Sequence, residues 1–238
     1  MAKTSLKLRV PWLHDGQRKI HDTLRAVEHA TVCLTAGRRW RKTSLAARMA
    51  FDALLVGKEV VWGAPTYDQT VLGFEELQKM IGPVSQTRLW SSIWVPGQGR
   101  CRFRSLNRPE TSKGYTADLL ILDEAALISP DAYYETARAF ISDTRGTAIL
   151  MTTPKGLNWY HTEAHLPSVL HFQAPTLGAV IRDDKLVRLP HEFENPDFPW
   201  EEMVDLFERL PRHVFCQEYL AHFVDSEGSV FPHVSELA

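Results

Sequence analysis

Short apolar runs alternate with longer amphipathic segments along most of this chain. The runs that predict strands lie at 31–35, 59–63, 119–123, 147–151 and 169–173. The continuous aliphatic run at 119–122 predicts a strand buried on both faces. Helical patterns separate them at 42–56, 68–80 and 130–141, and two further short strands are predicted within 92–106. Strands that alternate with helices predict an α/β three-layer sandwich with a mostly parallel central sheet.

The carboxyl-terminal part has a different pattern. Pro196 and Pro199 precede a helical run at 200–210, and Pro211 divides it from a second run at 214–221. We therefore predict a core at residues 1–174 and, at 175–238, a small helical lid subdomain followed by the start of a linker.

A basic turn joins the first predicted strand to the first long helix. Its residues are Gly37-Arg38-Arg39-Trp40-Arg41-Lys42-Thr43-Ser44. In a P-loop, backbone N–H groups at a helix N-terminus surround phosphates, a lysine neutralises the β/γ oxygens and a hydroxyl ligates Mg²⁺. Lys42 and Thr43 fit these roles and point to ATP. The standard glycine positions hold Ala36 and Arg41, however, so this motif alone leaves open a basic turn without a ligand.

Polar residues also follow two later strands. Asp123 and Glu124 end an aliphatic run, and Thr152, Thr153 and Pro154 end the next one. Because the carboxyl ends of parallel strands meet at one edge of a sheet, we expect all of them near the basic turn. The Asp suits Mg²⁺, the Glu suits polarisation of an attacking water, and the Thr hydroxyls suit sensing of the γ-phosphate.

Together these motifs resemble the ATPase domain of the large terminase subunit, the DNA-packaging motor of tailed phages. The family's P-loop runs Gly-Arg-x-x-Gly-Lys-Thr/Ser, which matches the glycine at 37 followed by an arginine. Further similar stretches lie at 64–69, 121–126, 152–160 and 217–224, and the likeness spans roughly residues 11–231. The resemblance implies a P-loop NTPase fold of the ASCE/RecA-like kind, with ATP and Mg²⁺ as ligands.

Carried over by position, the resemblance assigns roles to individual residues. It implies that Gln17 contacts the adenine, that Lys42 and Thr43 bind phosphate and Mg²⁺, that Asp123 is the Mg²⁺-associated acid and that Glu124 is the catalytic base. Residues 37–44 as a whole would bind the nucleotide. Thr152, Thr153 and Pro154 would couple hydrolysis to DNA movement.

One departure from the family lies in the loop itself. Arg41 replaces the second P-loop glycine, and a non-glycine residue in a glycine-type conformation costs about 1–3 kcal/mol. Either the loop takes another shape with Arg41 against the phosphates, or nucleotide binding is weakened. The presence of Lys42, Thr43, Asp123 and Glu124 favours retained binding.

A second departure concerns the arginine that some family members supply in trans to a neighbouring site. Lys113 stands at its position, and lysine lacks the planar fork of arginine. Arg108, five residues earlier, is the alternative, and both residues also fit an ordinary solvated loop.

Composition narrows the function classes. With 238 residues, 44% of them hydrophobic, the chain can bury a sizeable core, and it has no apolar run long enough for a membrane span or a signal peptide. Its three widely spaced cysteines suggest neither a disulfide framework nor a zinc site. A net charge of −2 argues against coating DNA by bulk charge, although Arg100, Arg102 and Arg104 would share one strand face, free to meet DNA, a neighbouring subunit or solvent.

The leading hypothesis is an ATP-hydrolysing motor domain that moves double-stranded viral DNA into a procapsid. The implied partners are the portal protein, the small terminase subunit and other copies of the chain in a ring, with a monomer in isolation, and the implied place is the bacterial host cytoplasm and transiently the procapsid. The family's nuclease domain is expected to be absent, and nuclease activity with it. The alternatives are a helicase-like DNA-dependent ATPase and a degenerate P-loop module that binds nucleotide without hydrolysing it.

Overall fold

The central sheet of the protein is mostly parallel. The computed structural model describes residues 10–82, 85–88, 91–107 and 114–225. Within these ranges, eight strands form the sheet: β1 Thr31–Ala36, β2 Glu59–Ala64, β3 Gln86–Arg88, β4 Ser92–Trp94, β5 Arg100–Ser105, β6 Leu119–Asp123, β7 Thr147–Thr152 and β8 Val169–Ala174. Their spatial order is β3-β4-β5-β2-β6-β7-β1-β8, in which only the β3–β4 and β4–β5 pairs are antiparallel.

Helical layers cover both faces of the sheet. The α-helices are α1 Asp15–Arg25, α2 Lys42–Leu55, α3 Tyr67–Ile81, α4 Trp159–Ala164, α5 Trp200–Arg209 and α6 Arg212–Glu218. The first three pack on one face, where Leu34 of β1 points, and α4 packs on the other, where Cys33 points. Because neighbouring residues of a strand face opposite sides, these continuous apolar runs serve two cores at once. The predicted three-layer α/β fold is confirmed.

Most predicted elements lie within a residue of their observed bounds, but the predicted helix at 130–141 is not an α-helix. It is a π-helix at Ala132–Ala137 followed by a 3₁₀ helix at Arg138–Ile141. The adjacent hydroxyls of Tyr133 and Tyr134 both donate to the carboxylate of Glu163, at 3.1 and 2.9 Å. This tertiary contact accompanies the wider turn and overrides the local preference for an α-helix.

The carboxyl-terminal segment at 175–225, called the lid below, has its own apolar cluster, which includes Met203 of α5 and Phe215 of α6. Both of its predicted helices are present, but the segment is not wholly helical. An antiparallel hairpin, β9 Ala179–Arg182 and β10 Lys185–Arg188, precedes them. Its two turn residues, Asp183 and Asp184, take the left-handed conformation that a tight two-residue hairpin requires.

The described ranges contain no helix with both the length and the apolarity needed to cross a lipid bilayer.

Candidate nucleotide site

Two arginines take up left-handed backbone conformations in the loop between β1 and α2. Arg39 has a φ of 61°, and Arg41, at the N-cap of α2, has φ 67° and ψ 44°. The loop therefore keeps a glycine-type geometry at position 41 although the residue is not glycine. Such strain persists only where surrounding contacts hold the backbone in place.

Trp40, between the two arginines, is the main anchor of the loop. Its side chain is fully buried, and its indole N–H donates to the carbonyl of Phe193 in the lid. Its own carbonyl lies 3.2 Å from Nε2 of His14, whose ring meets the indole edge-on at 5.1 Å. The strained backbone is thus fixed from the lid and from the start of α1.

Gln17 supports the same loop from α1. Its Nε2 donates to the carbonyl of Arg41 at 2.9 Å, and its Oε1 accepts from the backbone N–H of His14 at 3.1 Å. The residue is 1% exposed, and both the oxygen and the nitrogen of its side-chain amide are hydrogen-bonded to protein groups. The adenine contact implied for Gln17 stays a prediction.

Lys42 extends into the hollow that the loop encloses. Its ammonium donates to Oγ1 of Thr153 at 2.8 Å and to the carbonyl of Ala36 at 3.2 Å. Removal from water lowers the pKa of Lys42, an effect that the nearby carboxylates of Glu124 and Asp123 oppose. The ammonium of Lys42 is therefore poorly hydrated and bonded to uncharged groups, which suits an incoming phosphate.

A hydroxyl and a carboxylate meet across the sheet edge. Oγ1 of Thr43 donates to Oδ2 of Asp123 at 3.3 Å, and the backbone N–H of Glu124 donates to Oδ1 at 3.0 Å. Burial and then the neighbouring Glu124 charge raise the pKa of Asp123 to about 6, against the attraction of Lys42. Two hard oxygen donors, one of them a carboxylate lacking solvation, are a donor set that fits Mg²⁺.

The pKa of Asp123 makes the stability of the nucleotide-free protein depend on pH. The ordinary value for the group is 3.8, so the folded state binds this proton more tightly than the unfolded state. The resulting stabilisation is fully present below about pH 4 and is lost as pH rises through about 6. From pH 5 to pH 7.5 we expect the free energy of unfolding of wild type to fall by on the order of 1 kcal/mol relative to that of Asp123→Asn. Urea unfolding of both proteins at each pH measures this difference. A difference between the two that does not change with pH would contradict this prediction.

Glu124 stands at the centre of the edge in a left-handed conformation, with φ 51°. Its Oε2 lies 3.3 Å from Oγ1 of Thr152, whose single hydroxyl proton has a second acceptor in the carbonyl of Thr153 at 2.8 Å. Because β7 lies between β1 and β6, Thr152 faces the acid pair while Thr153 bonds Lys42. Pro154 follows and is buried. The predicted convergence of the three strand ends is thus observed among the described residues.

An ionic contact that the sequence analysis did not predict joins the loop to α6, where the Glu218 side chain is buried and that of Arg38 is exposed. The guanidinium of Arg38 donates to Oε2 of Glu218, and Lys155 donates to its other oxygen at 2.6 Å. Burial of Glu218 opposes its ionisation, but the hydrogen bonds from Arg38 and Lys155 prevail and lower its pKa. Glu218 lies in the stretch 217–224 that resembles the family, but the sequence of that stretch does not predict a contact with the loop.

A cavity of about 520 Å³ opens beside these groups. One wall comes from the loop, α2 and the end of β6, and the other comes from the lid. The lid residues were not predicted from the sequence, because they lie about 150 positions from the loop along the chain. The lining residues are Arg39, Arg41, Lys42, Thr43, Glu124, Asn195, Asp197, Phe198 and Glu202. Ser44 lies in the first turn of α2, whereas Arg108 and Lys113 fall outside the described residues.

The arginine stripe of β5 lies away from this cavity and is partly engaged within the fold. Arg102 pairs with Glu59, and Arg104 donates to the hydroxyl of Tyr115 at 2.9 Å. Both guanidinium groups lie over the Tyr115 ring, at 5.6 and 4.6 Å from its centroid. These intramolecular contacts leave Arg100 as the exposed member of the stripe.

Comparison with known proteins points to one family. Residues 33–236 match the model of the family described as terminase large subunit, T4likevirus-type, N-terminal. The large terminase subunits of Thermus virus P23-45 and Thermus phage G20c are 28% and 30% identical over 259 and 251 aligned residues. Each alignment covers 92% of this chain and 50% of the relative, so the chain spans about half the length of these curated relatives.

Solved structures show the same fold. The large terminase ATPase domain of Thermus phage P74-26 is 25% identical with a TM-score of 0.64, and the match covers 89% of this chain and 94% of that domain. The large terminase of another thermophilic bacteriophage, solved in complex with ADP, is 14% identical with a TM-score of 0.69, covering 90% of this chain and 54% of that protein.

Proposed function

The chain belongs to the terminase large subunit family, and from this premise we propose that it binds Mg²⁺–ATP in the cavity and hydrolyses it to drive double-stranded viral DNA into a procapsid. One observation carries the proposal. Three pairs of residues contact one another directly: Lys42 with Thr43 at the start of α2, Asp123 with Glu124 at the end of β6, and Thr152 with Thr153 at the end of β7.

Each side chain has a chemical task in the proposed reaction. Lys42 and the backbone N–H groups at the start of α2 would hold the phosphates, and Thr43 with Asp123 would hold Mg²⁺. Mg²⁺ supplies neutralisation of the charge that develops on the phosphates. Glu124 would orient and polarise the attacking water, while its bond to Thr152 keeps the carboxylate at the sheet edge.

The altered P-loop supports retained binding. Arg41 holds the left-handed conformation that glycine would provide, and Trp40 and Gln17 fix the backbone around it. The strain is therefore met by protein contacts before nucleotide arrives. A basic turn that binds no ligand is the less favoured interpretation of this geometry.

The assembled motor is part of the proposal. We infer a ring of copies of this chain on the portal protein, loaded with DNA by the small terminase subunit, in the host cytoplasm and transiently on the procapsid. Either Arg108 or Lys113 would then complete the site of the neighbouring copy. ATP turnover per molecule should rise with protein concentration, and this rise should disappear in either Arg108→Ala or Lys113→Ala. Turnover per molecule that stays constant with concentration would instead indicate a self-contained site.

A matched pair of variants at one position tests the metal role and the enzyme activity together. Thr43→Val keeps the shape of the side chain but removes its hydroxyl, whereas Thr43→Ser keeps the hydroxyl. We expect Thr43→Val to raise the Mg²⁺ concentration needed for half-maximal ATP hydrolysis by about tenfold, and Thr43→Ser to change it little. Phosphate release across a Mg²⁺ titration measures both.

Two results would count against the proposal. Equal Mg²⁺ requirements in the two variants would remove Thr43 from the metal site. Wild type that binds ATP without hydrolysing it, even with DNA at high protein concentration, would favour the degenerate binding module instead.

A further inference from the structure

One lid segment lies over the phosphate-binding loop along its length. The carbonyl of Phe193 accepts from Trp40, Nδ2 of Asn195 donates to the carbonyl of Arg39 at 2.9 Å, and Asp197 faces Arg41. The first two contacts join uncharged groups. The third joins two opposite charges.

The Arg41–Asp197 pair stands at the mouth of the cavity. Nη1 of Arg41 lies 3.6 Å from Oδ2 of Asp197, with side chains 51% and 38% exposed. Both residues line the cavity together with Lys42 and Thr43. An ion pair this exposed is weak, because water and salt screen it.

A triphosphate entering this cavity would compete for the same guanidinium. It carries more negative charge than one carboxylate and offers several oxygens to a planar fork that binds phosphate well. Asp197 would meanwhile face an added negative charge. The exchange of one anion for the other is therefore favourable for Arg41 and unfavourable for the lid carboxylate.

We propose that the Arg41–Asp197 pair is a clasp between loop and lid that the polyphosphate of the nucleotide opens. This inference rests on the proposed function, since it requires ATP in the cavity. Without nucleotide, Asp197 is paired with Arg41. With nucleotide, Arg41 binds phosphate instead. The C-terminal end of the lid segment, next to Phe198 and α5, is then released from the loop. The bonds at Phe193 and Asn195 do not compete with phosphate and keep the rest of the segment in place.

A double-mutant cycle tests the clasp through ATP affinity. Asp197→Asn removes the competing anion and is expected to tighten ATP binding about three- to fivefold. Arg41→Gln is expected to weaken it about tenfold. In the Arg41→Gln background, Asp197→Asn should change affinity by less than about twofold, because the competition acts through Arg41. AMP, which lacks the β- and γ-phosphates, should respond to none of the substitutions by more than about twofold.

Glu202→Gln is the matched control, because Glu202 lines the same cavity without an ion pair to Arg41 among the described residues. Its effect on ATP affinity should be the same with and without Arg41→Gln. Arg41→Lys keeps the charge without the fork and should fall between wild type and Arg41→Gln. Calorimetry with ATP and AMP gives the affinities, and thermal unfolding verifies that each variant is folded.

The outcomes separate the clasp from the proposed function. Equal tightening by Asp197→Asn in both backgrounds would mean plain repulsion of the phosphates by this carboxylate, and the clasp would be overturned while ATP binding stands. No effect of Asp197→Asn would overturn it as well. Wild type that binds neither ATP nor AMP would overturn the proposed function and the clasp together.

Discussion

Glu124→Gln is expected to lower ATP turnover about a thousandfold while ATP affinity stays within about threefold of wild type. The amide keeps the size and the bond to Thr152 but cannot accept a proton from the attacking water. Glu124 lines the cavity next to Asp123 and the end of β7. The substitution would remove the proposed base and keep Lys42, the lysine proposed to bind the phosphates.

The measurement is phosphate release at saturating Mg²⁺–ATP, paired with calorimetric ATP binding. Glu202→Gln removes a carboxylate from the same cavity and should keep turnover within about twofold at saturating ATP. If Glu124→Gln retains a tenth of wild-type turnover, a group other than Glu124 acts as the base toward the attacking water. The neighbouring carboxylate of Asp123 would then be the first candidate.

Trp40→Ala is expected to lower the free energy of unfolding by about 3–5 kcal/mol. The indole is fully buried, and its removal leaves a cavity between the loop, the lid and His14. The carbonyl of Phe193 would lose its donor at the same time. Because Trp40 holds two left-handed neighbours in place, ATP affinity should fall in parallel with stability.

Urea unfolding, monitored by circular dichroism, measures the free energy of unfolding, and Trp12→Ala is the control. Trp12 is the same residue type but is 65% exposed, and its ring lies against the guanidinium of Arg18, so its loss should cost less than about 1 kcal/mol. Similar losses for the two substitutions would show that Trp40 is not the anchor of the loop.

Local patterns predicted most of the sheet, although β3 was missed. The runs that form β1, β2, β6 and β7 are almost wholly buried in the structure, whereas β8, at the edge of the sheet, is only partly buried. The π-helix and the β9–β10 hairpin were missed for different reasons. The first depends on tertiary contacts with Glu163, and the second on a two-residue turn, Asp183-Asp184, set between short strands of mixed polarity.

The site was predictable to the extent that topology brings strand ends together. Asp123, Glu124 and Thr152 follow strands that had to be parallel, so their meeting with the loop could be inferred without coordinates. Asn195 and Asp197 could not be found this way, because their contact with the loop depends on how the lid folds back over about 150 intervening residues. Gln17 shows the converse, since the motif singled it out but the side chain lies against the loop with both amide groups bonded.

Because β7 lies between β1 and β6, the end of this strand reaches groups on both sides. Thr152 is the last residue of β7 and Thr153 follows it. Their hydroxyls contact Glu124, the proposed base, and Lys42, the lysine proposed to bind phosphate. Under the proposed function, one short segment of backbone therefore contacts both the carboxylate proposed to polarise the water and the lysine proposed to bind phosphate. We expect a change at both contacts to displace Pro154 and the residues after it more than a change at either contact alone.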